Sequence, residues 1–387
     1  MTHTTGTTGA LAGLKVIDLS RVLAGPLCAQ TLGDHGADVL KVEPPAGDDT
    51  RAWGPPFLDG TASYFLGLNR NKRGIVLDFT REEDRQTLLE LLQDADVLVE
   101  NFKTGTLARW GMGDDFLRER FPRLIICHIS GFGADGPLGA QPGYDAVAQA
   151  MGGLMSVNGE PGAGPLRVGV PVVDISTGMN AVIGILLALQ ERNRSNLGQV
   201  VDVTLYDSCI ALLHPSLANY FASGREPERT GNAHSNVVPY DLFATRTVPV
   251  FIGAGNEGQF RKLCEHLDLR SMLKDPRFAT NAARHQNRQA VREALEARLA
   301  DADGVAIAAE LNAIGVPCGP VQSLSGVVNH PHTAHRGMTV QSGGVRGTGA
   351  PVKLSRTPAS YRRAPPKLGE HGEELRSELE AAQQLKA

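Results

Sequence analysis

The chain has 387 residues, of which 42% are hydrophobic and 21% charged, and its formal net charge is -4 at pH 7. That length sustains a large core and two domains, and the mild acidity excludes a basic nucleic-acid footprint, leaving a small molecule as the expected partner. Five scattered cysteines (Cys28, Cys127, Cys209, Cys264, Cys318) form no CxxC pair and no zinc-type spacing, so a reduced, cytoplasmic protein without a metal site is expected.

Met1–Gly9 is Thr/Gly-rich, with neither a basic start nor an apolar run, and reads as a loose tail rather than a signal peptide. Short runs rich in Val, Ile and Leu follow at Leu14–Leu19, Ala37–Glu43, Gly74–Phe79, Ala95–Glu100 and Leu124–Ser130, the pattern of buried parallel strands. Helical patterns separate them, such as Arg81–Gln93, which follows the cap candidate Thr80 and is acidic in its first turn. A long apolar helix is expected over Asp174–Glu191 and a strand over Gln199–Thr204. Alternating strands and helices imply a doubly wound α/β sheet. The most apolar run, Ala181–Leu189, is shorter than the roughly 20 residues that cross a bilayer, so no membrane partner is expected.

Gly, Pro, Arg and His cluster without periodicity over Ser223–Asn236, marking a linker. Beyond it, strands at Tyr240–Thr245 and Pro249–Ile252 precede helices at Glu257–His266, Asn287–Leu299 and Gly304–Ile314, a smaller α+β domain. A strand pair is expected within Met338–Ser355 and a helical tail from Gly372.

Four local features carry candidate chemistry. Gly253-Ala-Gly255-Asn-Glu-Gly258 has the GxGxxG form between a strand and a helix, which suits the pyrophosphate of a nicotinamide dinucleotide and hence an NAD-dependent oxidoreductase. It lacks the downstream acidic strand end and does not open its sheet, so a plain glycine turn is preferred. Cys127-His128 could pair a thiol with a base, but neighbours on a strand point to opposite faces, and core packing is the better reading. His330, His332 and His335 share a polar loop with few carboxylates, read as solvated rather than metal-binding. Asp174 stands just before the long helix. On local sequence the preferred reading is an N-cap, though the same position suits a nucleophile whose carboxyl the helix N-terminus would keep acidic.

Several separated motifs then make the chain similar to the class III CoA transferases, the formyl-CoA transferase and carnitine CoA-transferase family. They are Asp18-Leu-Ser-Arg-Val-Leu-Ala-Gly-Pro26, Gly36-Ala-Asp-Val-Leu-Lys-Val-Glu43, Asn71-Lys-Arg73, Val99-Glu-Asn-Phe102, Gly143-Tyr-Asp145 and Asp174-Ile-Ser-Thr-Gly178, spread between Leu14 and His371. The resemblance implies Asp174 as the nucleophile and a coenzyme A thioester as substrate, with no tightly bound cofactor. It implies coenzyme contacts at Leu23, Ala24, Leu77, Asn101, Phe102 and Arg109, with Tyr144 and Asp145 near the thioester. Some relatives carry a basic residue where this chain has Pro44, a role that Arg51 or Arg73 could take. An aspartate suits the task because its acyl anhydride keeps the energy of the thioester, whereas a serine ester would lose it. With an ordinary pKa of about 3.9, such an aspartate would be ionised at pH 7 without a general base.

The resemblance also implies the fold: a large Rossmann-like domain from 1–222, a small domain at 223–330, a segment 331–387 returning to the large domain, and an interlocked homodimer. The family includes 2-methylacyl-CoA racemases, which carry a His acid/base where this chain has Tyr144, a poor base at neutral pH. Within the transferases, Gly47–Pro56, Asn219-Tyr220, Asn236–Tyr240 and Gly253–Asn256 look most like the succinyl-CoA:glutarate branch. That similarity implies succinyl-CoA as donor and a dicarboxylate such as glutarate as acceptor, with Arg73, Arg167 or His234 as candidates for the distal carboxylate.

Overall fold

The computed structural model describes residues 9–386, so Met1–Gly9 lies outside the described residues apart from Gly9 itself. The chain forms two units: Met1–Leu154, Val168–Leu213 and Pro331–Ala387 in the first, Met155–Arg167 and His214–His330 in the second. The main run of the second unit thus begins at His214, before the expected boundary at 223. The excursion Met155–Arg167 coincides with a stretch rich in glycine and proline, Gly159–Pro165, where no boundary was expected.

The first unit is built on six parallel strands, β1 (Lys15–Asp18), β2 (Asp38–Glu43), β3 (Lys72–Val76), β4 (Val97–Glu100), β5 (Ile125–Ser130) and β6 (Val200–Thr204). Their order in the sheet is β3-β2-β1-β4-β5-β6. Alternate residues feed two cores. Val16, Val39, Val97, Val99, Ile125 and Cys127 face α1 (Ala24–Asp34) and its Ala29 and Leu32, while Ile17, Leu40, Leu98 and Ile126 face Leu88, Leu92, Leu117 and Leu375. Both faces are therefore covered by helices, as an all-parallel sheet requires. Because the chain starts in the middle and winds outward both ways, the loops after β1 and β4 diverge and leave a crevice at their carboxyl ends.

Four expected elements differ. The third strand runs Lys72–Val76 rather than Gly74–Phe79, because its first residue is a lysine that is buried, which a hydrophobic pattern scores as polar. Thr80 caps no helix; its hydroxyl donates to Asp78 Oδ1 at 2.7 Å and Arg81 takes the cap position. The late strand pair, Thr339–Ser342 with Val345–Thr348, forms its own two-stranded sheet instead of joining the large one. The long apolar helix starts at Val172, ahead of Asp174, and runs to Ser195. By length and composition alone it could cross a bilayer, yet its Ala181, Ile185 and Ala188 are buried in the core shared with α1.

Two lysines are wholly buried where the crevice begins. Lys72 Nζ donates to Asp18 Oδ2 (2.8 Å), Asn69 Oδ1 (2.8 Å) and Pro26 O (3.0 Å), which uses all three of its hydrogens. Lys41 Nζ donates to Ser20 O (2.9 Å) and Asp48 Oδ2 (3.2 Å). Burial works to raise the Asp18 carboxyl, but the Lys72 and Lys41 ammonium groups outweigh it and hold Asp18 below the usual carboxylate range. The network pins the loop that follows β1. Asp48 Oδ1 also accepts from the amide of Val22, whose φ of 71° is left-handed and rare for a β-branched residue.

In the second unit, Tyr240–Phe243, Val250–Gly253 and Cys318–Pro320 form an antiparallel sheet over a core that includes Phe243, Ile252, Leu263, Leu295 and Leu311. The GxGxxG stretch lies here. Its strand is the middle of an antiparallel sheet, not the start of a parallel β–α–β crossover, so it lacks the setting of a dinucleotide turn. Its helix is capped internally: Asn256 Oδ1 accepts from Gln259 N (3.0 Å), and Gln259 Oε1 accepts from Gly255 N (2.8 Å).

Replacing Lys72 with Met leaves Asp18 buried and stripped of its nearest cation. We expect a loss of about 3–5 kcal/mol in urea denaturation, and recovery of part of it in the Lys72→Met/Asp18→Asn double variant.

Candidate active site

The crevice at the carboxyl ends of the strands holds a cavity of about 240 Å³. Its walls are Arg21–Ala24 after β1, Asn101–Thr104 after β4, Ile129–Gly131 at the end of β5, Ala140–Tyr144, Asp49, Leu205 and Asp174. Two of these walls are locked together. Arg21 N donates to Asn101 Oδ1 (2.8 Å), and Asn101 Nδ2 donates back to Arg21 O (2.7 Å), so one amide side chain spans the divergence of β1 and β4. The next residue is held as well: Phe102 N donates to Glu100 Oε2 at 2.7 Å.

Asp174 enters from α3 (Val172–Ser195), where it is the third residue and not the cap. Asp145 takes that role from the start of α2 (Asp145–Met151). Its Oδ2 accepts from Val173 N (2.9 Å) and Asp174 N (3.1 Å), while Oδ1 accepts from Gln149 Nε2 (2.6 Å). Four residues on, Gly178 allows the close crossing that sets the helix in place, since a Cβ there would stand 2.6 Å from the carbonyl oxygen of Ala24.

Among the described residues no donor reaches the Asp174 carboxylate. Burial first, and the neighbouring Asp145 carboxylate second, push its pKa up to about 7. The expected lowering by the helix N-terminus and the ordinary acidity are therefore both overturned: Asp145 already occupies the first amides, and its own charge opposes a second one beside it. Tyr64 is affected by the same pair, with burial, Asp174 and Asp145 raising its phenol to about 12.

Of the residues marked in the sequence, Leu23, Ala24, Asn101, Phe102, Tyr144 and Asp174 meet around this cavity. The others lie elsewhere. Asp145 is buried behind it as the cap of α3, and Leu77 is packed in the core with Leu40, Ile75 and Leu88. Arg109 is exposed, donates to Thr106 Oγ1 at 3.0 Å and does not line the cavity. Arg51 is engaged by Glu43 (2.6 and 2.8 Å), and Arg73 by Asp38, Glu374 and Glu378, so neither is free to meet a substrate anion. Arg167 and His234 belong to the second unit.

Cys127 is in the core, as expected of it, but His128 is not: it projects from the opposite face between Glu100 and Asp114. His332 and His335 stack on one another in a short helix, Pro331–His335. The cavity also carries two cations the sequence reading passed over, Arg21 and Lys103. Their position was the available signal, because each follows a strand flanking the point where the sheet order reverses.

Residues 11–372 match the sequence profile described as CoA-transferase family III. The chain belongs to that family. It is 42% identical to the succinate–glutarate CoA-transferase of Agrobacterium fabrum, over 96% of each chain. It is 40% identical to the acetyl-CoA:oxalate CoA-transferase of Acetobacter aceti, again over 96% of each. Among solved structures, a CAIB/BAIF family protein from Brucella suis superposes with a TM-score of 0.87 at 44% identity, covering 96% of this chain and 100% of that one. The protein is thus a CoA-transferase, and CoA thioesters are its substrates.

A carboxyl group raised from about 3.9 in the unfolded chain to about 7 in the fold favours folding at low pH, and that contribution is lost as the pH rises through 7. Asp174→Asn removes the loss. Thermal unfolding should therefore show little gain in Tm for this variant at pH 4, a gain that grows toward pH 7, and a plateau above pH 8.

Proposed function

We propose that the enzyme transfers CoA from succinyl-CoA to a dicarboxylate such as glutarate, with Asp174 as the covalent carrier. The observation that carries this reading is a carboxylate that no donor among the described residues reaches, fixed by its backbone and facing the cavity at the carboxyl end of the sheet. The Asp174 oxygen attacks the thioester carbonyl and the CoA thiolate departs, leaving an acyl–aspartyl anhydride. The thiolate then attacks the aspartyl carbonyl carbon, releasing the first acid and forming an aspartyl-CoA thioester. The second acid attacks that thioester, and the same two steps in reverse deliver its CoA ester and restore the carboxylate.

The acid class is supported by the names of two relatives, one a transferase for glutarate and the other for oxalate, both dicarboxylates. Lys103 supplies positive charge in the cavity for phosphate or carboxylate oxygens, and Arg21, 3.4 Å from Asp49 in an exposed pair, would have to exchange that partner to join it. A racemase would need a base at position 144. This chain has Tyr144 there, 60% exposed, in place of a histidine, which favours transfer.

The partner that fits the protein best is a second copy of itself. Met179, Ile183, Leu186 and Leu187 form an exposed apolar stripe on α3, with Leu187 66% exposed, where the surface of a monomer would carry mostly polar side chains. The five free thiols suit the reducing cytoplasm.

Incubation with succinyl-CoA and a panel of acids, followed by mass spectrometry of the CoA esters, should show exchange with glutarate. Asp174→Ala should lower it by on the order of 10³-fold or more; an unchanged rate would overturn the mechanism. The attacking group must be ionised, so the rate should rise through pH 7 and level above pH 8, and Asp145→Asn should move that midpoint down. Leu187→Asp should shift the sedimenting species from dimer to monomer in analytical ultracentrifugation.

A further inference from the structure

A row of charge crosses the sheet beside the cavity. The register places Glu100 of β4 next to His128 of β5, and His128 next to Asp202 of β6. Equivalent positions on neighbouring strands point to one face, and all three side chains line a second cavity of about 530 Å³. Asp114, the first residue of the helix Asp114–Arg120, completes the set. His128 Nε2 lies 2.9 and 3.1 Å from its two oxygens, while Nδ1 bonds to Glu100 Oε1.

An imidazole flanked by carboxylates on both nitrogens can donate to both only as the cation. Burial acts against that cation, but the bonds to Asp114 and Glu100 outweigh it and raise His128 to about 10. His128 thus supplies a cation to a site that otherwise holds three carboxylates, Glu100, Asp114 and Asp202. Hydrogen bonding to it holds Asp114 below the usual range, and burial raises Asp202.

The link to the active site is Glu100. One of its oxygens bonds to His128, and the other accepts the Phe102 amide. Phe102, Lys103 and Thr104 line both cavities. We propose that His128 is a positioning residue for the coenzyme: through Glu100 it sets the Phe102–Thr104 wall against which the CoA moiety binds. This rests on the reading that the Asp174 cavity receives the thioester. Without the imidazolium, Glu100 faces two like charges and no longer holds the Phe102 amide in one place.

The experiment compares the full-length enzyme with His128→Gln and Asp114→Asn. Steady-state exchange is combined with calorimetric titration of CoA itself. His128→Gln should raise KM for the CoA thioester and weaken CoA binding by about 10-fold or more, with kcat and the KM of the acceptor acid within about twofold. That split marks lost binding that is equal in ground and transition states. Asp114→Asn leaves only Glu100 and the more distant Asp202 facing the ring, with Arg118 near the former Asp114 charge. Its imidazole should lose its proton earlier, so its KM should climb between pH 7 and 9 while that of the wild type stays level.

An unchanged CoA affinity in His128→Gln, or a fall in kcat alone, overturns the proposal. Should that variant not fold, a flat pH profile for Asp114→Asn does the same. Because calorimetry reads the wall without turnover, a wild type that binds CoA but does not exchange it counts against the proposed reaction and leaves this test standing.

Discussion

The first wall of the cavity at the carboxyl end of the sheet depends on four charges sealed from water beneath it. Lys41 and Lys72 reach in from β2 and β3 and meet Asp48 and Asp18, and none of these groups has solvent to fall back on. Unpaired, each would cost several kcal/mol; paired, they act as rigid struts. Their remaining bonds go to the backbone of Ser20 and Pro26 and to the amide of Val22, the stretch that forms the first wall of the cavity. A loop with an unfavourable left-handed valine persists there because several side chains over-determine its path.

The second wall is tied to the first by Asn101, and the Asp174 carboxyl is presented by a helix whose opening amides are already occupied. Asp145 has two effects that pull in different directions. As a cap it orients α3 and satisfies its free N–H groups; as a neighbouring anion it makes the charged form of Asp174 less favourable. A carboxylate destabilised in this way is a stronger base and a better nucleophile than one resting in a nest of donors.

The α/β alternation, five of the six strands and the position of the cavity-facing motifs were legible in the sequence because buried parallel strands are continuous apolar runs. The third strand was displaced because Lys72 is a charged residue in a core position, and no local pattern reveals a partner 54 residues away. Asp174 was legible as a candidate, and it does line the cavity, but its raised pKa was not legible, since burial and Asp145 act through space. Leu77 and Arg109 occupy motif-like positions, yet one faces the core and the other solvent. His128 was paired with the wrong idea: strand alternation placed it opposite Cys127, and only the register with Glu100 and Asp202 explains why an ionised side chain belongs there.

The cavity wall from Ala140 to Tyr144 is made differently from the two after β1 and β4. It is anchored by a glycine-on-glycine approach, where a Cβ on Gly131 would sit 2.8 Å from Gly143, and among the described residues no buried ion pair reaches it. Within one pocket, then, one side is expensive to alter and the other is cheap. Substitutions at the exposed Gln141 and Pro142 can reshape this side of the cavity without disturbing the struts, the amide lock or the helix that carries Asp174. On the proposed reading, a lineage with this architecture can exchange one carboxylic acid for another while the opposite walls stay unchanged.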